Sequence, residues 1–494
     1  MVAMMTRIGE SGTGPEGSPA ALGFKYLLAI VPALAAGVLL TLDPIDTPLL
    51  QPDSPGYLDF APNRTAGYPL FLHLVMAVFG EVRPLVYVQV WLFALSLAYL
   101  AVELLRLTGS AVVAAAISLA IAMVPQIHAF HFSVLTESVF ISLTLVVLAQ
   151  FAVLARDTSI LRWVVLSGAT GLAVAIRPAG LSLVPLIALA LVFHWASLRQ
   201  RVLPVLAAAI LPFALVLGAE HLIYHERHGP VRDSPAGSHF FAKAGLLEVD
   251  GAVSTPPALA GSEASRRLLS MLDADLRELR RFLAGSPSFA VRQVLLPKYE
   301  VFLQYRFAYD ERQLAEQETG LEESELLMEL AMARLSEAPL AYLGLTWDHY
   351  RGLWSTRPAS HPDSVPLYRA YIEAKRPIPF ESEVRELLES PRPLALARLE
   401  RPALQVIAVL SLGIAVVALA LWLLSRRVAG AFCVAALCAF MVHGHFVLVA
   451  LTGVGIARYR LTMWPAMVIA IALASWAAME RFGPRGLVAF LRRV

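Results

Sequence analysis

The feature that most constrains this chain is the recurrence of apolar runs close to twenty residues long. They fall near 22–42, 84–105, 111–126, 134–155, 162–177, 178–196, 203–222, 402–424, 428–450 and 461–479. A bilayer core is roughly 30 Å thick and takes about twenty helical residues to cross, so these runs predict about ten transmembrane helices. Of 494 residues, 57% are hydrophobic and 16% charged, more apolar material than a water-soluble surface could conceal. With no water to satisfy backbone groups in hydrocarbon, each run closes its hydrogen bonds internally as a helix. The expected fold class is an all-α polytopic membrane protein.

A net charge of +2 supplies no single-sign field for nucleic acid, and that class is set aside. The charges mark topology instead. With the N-terminus inside, the inner connections hold Arg106, then Arg156 and Arg162, Arg199 and Arg201, Arg426 and Arg427, and finally Arg481, Arg485, Arg492 and Arg493. Short cytoplasmic loops retain Lys and Arg, so both termini are expected in the cytoplasm, with the protein in the inner (plasma) membrane. Ala33-Leu34-Ala35 imitates a cleavage site, but the first run is too long for a signal-peptide core and reads as an uncleaved helix with Lys25 at its inner end.

Four regions follow: a cytoplasmic tail (1–21), a first membrane part with seven spans (22–222), a polar insert on the outer side (223–401), and a second membrane part with three spans and a basic tail (402–494). Within the insert, Ser262–Phe282 repeats Leu at helical spacing and Glu322–Leu335 is rich in helix formers, which predicts a mostly helical extracytoplasmic cap. The run 68–80 is too short to span and reads as a re-entrant or interfacial helix. Cys433 and Cys438 lie five apart in one apolar run, on diverging helix faces, and no disulfide is expected.

Chemistry is expected at the outer rim. The first outer loop carries Asp43, Asp46, Asp53 and Asp59, followed by Arg64. A carboxylate there could serve as a general base for a hydroxyl acceptor, or the loop could simply be solvated. The second outer loop brings His128 and His131, three apart and able to share a ligand or a divalent metal, and Glu137 at the start of the next span. No HExxH-type spacing accompanies them, so no metal ligand is assigned and a divalent ion is the one cofactor left open; interfacial hydrogen bonding is the competing role. Glu137 is costly at an apolar run's end unless capped, paired or used. In the last outer loop, Arg458-Tyr459-Arg460 suits a phosphate, whose oxygens match the guanidinium fork, although snorkelling at a helix end would also place arginines there. Arg177 sits in a tight outer turn, Lys243 in the insert could approach the same mouth, and His443 and His445 occupy the outer half of the ninth span; for these last three a structural role is the more common one.

These residues in this order resemble the GT-C superfamily of membrane glycosyltransferases, in particular the branch of protein O-mannosyltransferases and lipid A aminoarabinose transferases. The resemblance is carried by Asp53-Ser54-x-x-Tyr57-Leu58 with Arg64 and Tyr68-Pro69-Leu70, then Leu135-Thr136-Glu137-Ser138, Ile176-Arg177-Pro178-Ala179-Gly180, and Arg458-Tyr459-Arg460. It implies a GT-C-like helical bundle and an inverting transfer of a sugar from a polyprenyl-phosphate donor to a hydroxyl of a glycolipid, envelope polysaccharide or protein at the outer face. It also implies that Asp53 is the catalytic acidic residue, that Glu137 orients acceptor or metal, and that Arg458 and Tyr459 hold the lipid phosphate. Tyr57, Arg64, Tyr68, His128, His131, Lys243 and Arg460 complete the expected substrate-binding set. Many members carry adjacent acidic residues where this chain has Asp53-Ser54, which bears on metal dependence. Two rival classes stand beside it: a flippase for lipid-linked sugars or another transporter, which would place its ionisable groups near the bilayer midplane rather than at the rim, and a non-catalytic assembly or sensor protein that uses the 223–401 insert to bind a partner.

Overall fold

The structure is a computed structural model and describes residues 19–42, 47–230, 234–247, 256–285, 289–305, 307–355, 395–426, 428–453, 455 and 457–493. Asp43, Asp46 and most of the Pro/Gly-rich stretch 355–380 lie outside the described residues. In chain order the first membrane part comprises α1 (Pro19–Thr41), α2 (Ser54–Leu58), α3 (Gly67–Phe79), α4 (Leu85–Thr108), α5 (Ala111–Ala122), α6 (Pro125–His131), α7 (Thr136–Leu154), α8 (Ile160–Ile176), α9 (Val184–Phe193), α10 (Trp195–Leu198) and α11 (Val202–His228). The insert follows with α12 (Ala236–Gly245), α13 (Glu263–Asp275), α14 (Arg277–Ala284), α15 (Phe289–Tyr305), α16 (Tyr309–Thr319), α17 (Glu323–Glu337) and α18 (Pro339–Leu353). The chain closes with α19 (Ala395–Ser425), α20 (Gly430–Thr452), α21 (Ala457–Thr462), α22 (Trp464–Phe482) and α23 (Arg485–Arg493).

The protein is an all-α polytopic membrane protein. Helices occupy all ten predicted runs, but among the described residues seven are long and apolar enough to cross a membrane alone, or eight if the bent pair α5 and α6 counts as one span. The difference comes from prolines. Val124 precedes Pro125 and is extended, which bends α5 from α6 by 68°. Arg177 precedes Pro178 and is likewise extended (φ −153°, ψ 127°), ending α8 after 17 residues and starting a 3-10 turn, Pro178–Leu183. Both breaks interrupt the helical backbone beside the outer loops, where polar groups gather.

Layering follows apolarity. Helix α7 is the centre: 89% of its apolar window is buried, whereas only 17% is buried in each of 20–41, 202–228 and 402–425, whose apolar side chains face outward. A helix apolar all round but mostly uncovered is what lipid requires. The insert has its own core, in which Leu268, Leu272, Leu303, Leu326 and Leu330 are buried together. The amphipathic spacing in 262–282 thus folds as α13 and α14, and 322–335 as α17. Helix α18 docks the insert onto α20 and α21. Cys433 and Cys438 are free and buried.

Candidate active site

The first outer loop folds back on the second. Leu49 pairs in parallel with Ser133: its N–H donates to the Phe132 carbonyl at 2.7 Å, and its own carbonyl accepts from the Val134 N–H at 3.0 Å. The buried Ser54 hydroxyl donates to the Val134 carbonyl at 2.9 Å and accepts from the Gln51 N–H at 2.7 Å. These bonds satisfy backbone groups that no helix serves. They also set Asp53, at the start of α2, against the N-terminus of α7.

Beyond α2 the chain reverses at Phe60, whose positive φ of 51° is held by ring contacts with Tyr224 and His228. The reversal returns Arg64 over the Tyr57 ring, 4.6 Å from its centroid, and brings Arg64 Nη2 to 2.9 Å from Asp53 Oδ1. Helix α3 then leaves through Gly67, which sits against the backbone of α8: a Cβ there would lie 2.5 Å from the Ala175 oxygen.

Asp53 is bound on both sides. Its second oxygen, Oδ2, lies 2.9 Å from Arg458 Nη1. Arg458 Nε in turn pairs with Glu137 Oε1, and that same oxygen meets Arg177 Nη1. The result is an alternating series, Arg64, Asp53, Arg458, Glu137 and Arg177, drawn from the loop after α1, α21, α7 and the α8 terminus. Three guanidinium groups face two carboxylates, which leaves one positive charge in excess. Glu137 is fully buried, and the Asp53 and Arg64 side chains remain 29% and 25% exposed at the open end. Arg64 Nε is buried and makes no hydrogen bond among the described residues.

Electrostatics follow from this arrangement. Burial alone would favour the neutral acid at Asp53, but Arg458 and Arg64 outweigh it and hold the carboxyl well below the usual carboxylate range. For Arg458 burial opposes the charge, and Glu137 and Asp53 more than restore it, raising its pKa well above the ordinary arginine value. Burial, with Asp53 close by, raises the Tyr57 hydroxyl.

No protein-family model and no curated protein matches the chain. A solved structure does. The chain is similar to the crystal structure of ArnT from Cupriavidus metallidurans bound to undecaprenyl phosphate, at 13% identity and a TM-score of 0.33, over 94% of this chain and 79% of that one.

The remaining expected site residues fall in three places. Tyr68 and Tyr459 line the network: the Tyr68 ring meets Tyr57 edge-on at 5.1 Å and its hydroxyl donates to Gln89 Oε1 at 3.3 Å, while Arg177 lies 5.1 Å from the centroid of the Tyr459 ring. His128 and His131 support the second loop from behind. His128 Nε2 contacts the Ala122 carbonyl at 2.6 Å and His131 Nδ1 the Ser138 hydroxyl at 2.8 Å, so the two rings serve different partners. Among the described residues no group of three or more His, Cys, Asp or Glu is placed to hold a metal. Arg460 and Lys243 sit apart from the network: Arg460 Nη1 donates to the Ser355 carbonyl, and Lys243 is buried in the insert beside Glu300. His445 is buried with Nδ1 2.9 Å from the Ser182 hydroxyl, and His443 bonds the Tyr350 and Ser411 hydroxyls.

The sequence marks Arg177 as a tight outer turn and as part of one motif of the resemblance, without a role of its own in the site. Its contact with Glu137 makes it a full member of the network. Gln89, buried in the second turn of α4, was also missed; its Nε2 donates to the His131 and Ser133 carbonyls, at 3.0 and 3.1 Å, and fixes the second loop. An arginine and a glutamine inside apolar runs were the available signal.

Proposed function

We propose that this chain is an inverting membrane glycosyltransferase that moves a sugar from a polyprenyl-phosphate donor to a hydroxyl acceptor at the outer face of the membrane, as its resemblance to the GT-C superfamily implies. The observation that carries the reading is the Arg64–Asp53–Arg458–Glu137–Arg177 series with its one uncompensated positive charge. A phosphate completes that charge, and a guanidinium fork matches its oxygens.

In this reading, Asp53 is the general base. It takes the proton of the acceptor hydroxyl as that oxygen attacks the anomeric carbon from the side opposite the phosphate. The bond from the anomeric carbon to the phosphate oxygen breaks, its electron pair leaves with the phosphate, and the configuration inverts. A phosphate leaving group needs little proton assistance, so cations rather than a second acid stabilise the departure. With both oxygens held by arginine, Asp53 is a weak base before the donor arrives. Donor phosphate competes for Arg458, loosens that hold and raises the basicity of Asp53 only when a donor is present. Glu137 keeps Arg458 and Arg177 together. Tyr57, Tyr68 and Tyr459 pack around the network, and Arg64, whose side chain stays 25% exposed at the open end, is available to the sugar or its phosphate.

The outer-face assignment rests on the length of α7. Glu137 stands at one end and Arg156, in the basic cluster with Arg106 and Glu103, just beyond the other, separated by about 28 Å of helix. Positive-inside bias then puts the network outside and both termini inside. The class is tested by reconstituting the protein in vesicles with labelled pentose, hexose and aminosugar polyprenyl phosphates. Label transferred to a hydroxyl acceptor with inverted anomeric configuration is the expected outcome. Movement of intact lipid-linked sugar between leaflets without transfer would contradict it and favour a flippase.

A further inference from the structure

A second cluster of charge lies inside the insert, away from the network. Lys243 on α12, Glu300 on α15 and His349 on α18 are 0%, 1% and 3% exposed. Lys243 Nζ is 3.4 Å from Glu300 Oε1, and His349 Nε2 is 2.5 Å from the same oxygen. With one cation, one anion and a neutral imidazole the trio balances. Buried charge of this kind is tolerated when paired, yet three apolar side chains would serve stability as well, so its presence asks for a further reason.

His349 supplies one. Its other nitrogen, Nδ1, accepts the Gly455 backbone N–H at 3.3 Å. That bond requires Nδ1 to be unprotonated, so the ring proton sits on Nε2, facing Glu300. The two backbones also approach closely at Gly455, where a Cβ would stand 2.7 Å from the His349 carbonyl oxygen. The same segment is held on both flanks by the same part of the insert. The Tyr342 hydroxyl donates to the Leu451 carbonyl at 2.7 Å, and Arg460 donates to the Ser355 carbonyl. Arg458 lies inside this clamped stretch, three residues after Gly455.

We propose that His349, oriented by the buried Glu300–Lys243 pair, is a positioning residue that fixes the 451–460 segment and through it aims Arg458 at Asp53 and Glu137. This rests on the reading of Arg458 as the residue that holds donor phosphate. Burial, with Glu300 opposing it, keeps the His349 pKa below the ordinary imidazole value, which maintains the acceptor at Nδ1 across the neutral range. The insert is thereby a working part of the site: a change in its core is felt at the arginine.

Two substitutions separate the two nitrogens. Asn at 349 places a carbonyl oxygen near Nδ1 and keeps an acceptor for Gly455, whereas Gln reaches toward Glu300 and abandons Gly455. Hydrogen–deuterium exchange of the 451–460 peptide in the full-length protein should accelerate about tenfold in His349→Gln and stay within about twofold of wild type in His349→Asn. Affinity for polyprenyl phosphate should fall by a similar factor in the first variant, with rescue in the second. The double variant Lys243→Met/Glu300→Gln removes both charges together without stranding either, and exchange should rise to an intermediate level. Equal exchange in wild type and His349→Gln, or equal acceleration in the Asn and Gln variants, would overturn the proposal. If Arg458→Ala bound polyprenyl phosphate like wild type, the assignment of that arginine to phosphate would fall, while the Asn–Gln contrast in exchange would still decide the clamp.

Discussion

At the scale of single residues the account turns on Asp53 being held by two arginines and released by a substrate. Asp53→Asn removes the proposed base and keeps the shape, so turnover should fall by about 10³-fold. Affinity for polyprenyl phosphate should hold or rise, because a competing carboxylate has been neutralised; calorimetric titration beside a transfer assay checks both. Titration gives a second expectation. Asp53 has a depressed folded-state pKa, so its ionised form persists as pH falls and is lost only below the usual carboxylate range. Arg64→Gln removes one of the cations responsible and makes protonation easier. The acid limb of the kcat/KM profile should therefore move to higher pH in that variant, and an unmoved or lowered limb would sever Asp53 from the observed titration.

Elements explain how much of this was legible. Helix α7 could be read from its apolar run, and the acidic residue at its head from the cost of a carboxylate there. Asp53 and Arg458 could be named as candidates, but nothing in a sequence pairs residues 405 positions apart. Their meeting depends on the Leu49–Ser133 bridge and the Phe60 reversal, both in irregular backbone without periodicity. Lys243 stood between a place at the rim and a structural one, because its burial against Glu300 depends on how α12 meets α15. Arg177 stood in a turn and in a motif of the resemblance, and Pro178 explains its backbone; its side chain's partner had no local signature. Packing of α3 on α8 is equally invisible beforehand and gives a third prediction. Gly67→Ala must push the helices apart to relieve a 2.5 Å approach, costing about 1–3 kcal/mol and lowering the thermal midpoint measured in detergent.

For the whole molecule, the decisive property is that its two ends differ. One holds the Asp53 network and the insert; the other holds Arg106, Arg156, Arg481 and α23, with the Lys25 ammonium on the Arg492 carbonyl. Because both native cysteines are buried, introduced ones report cleanly. Glu329→Cys, on the exposed side of α17, should react with a membrane-impermeant maleimide added to intact cells, and Gln200→Cys only after permeabilisation. The reverse pattern would invert the topology and put the network in the cytoplasm.

The central claim, that this network is a phosphate-gated sugar-transfer site, meets its most direct test in an experimental structure of the full chain with polyprenyl phosphate bound. The account predicts phosphate oxygens within hydrogen-bond distance of Arg458, with at least one Asp53 oxygen freed from arginine and turned toward open space. A phosphate bound elsewhere, with both Asp53 ion pairs intact, would contradict it.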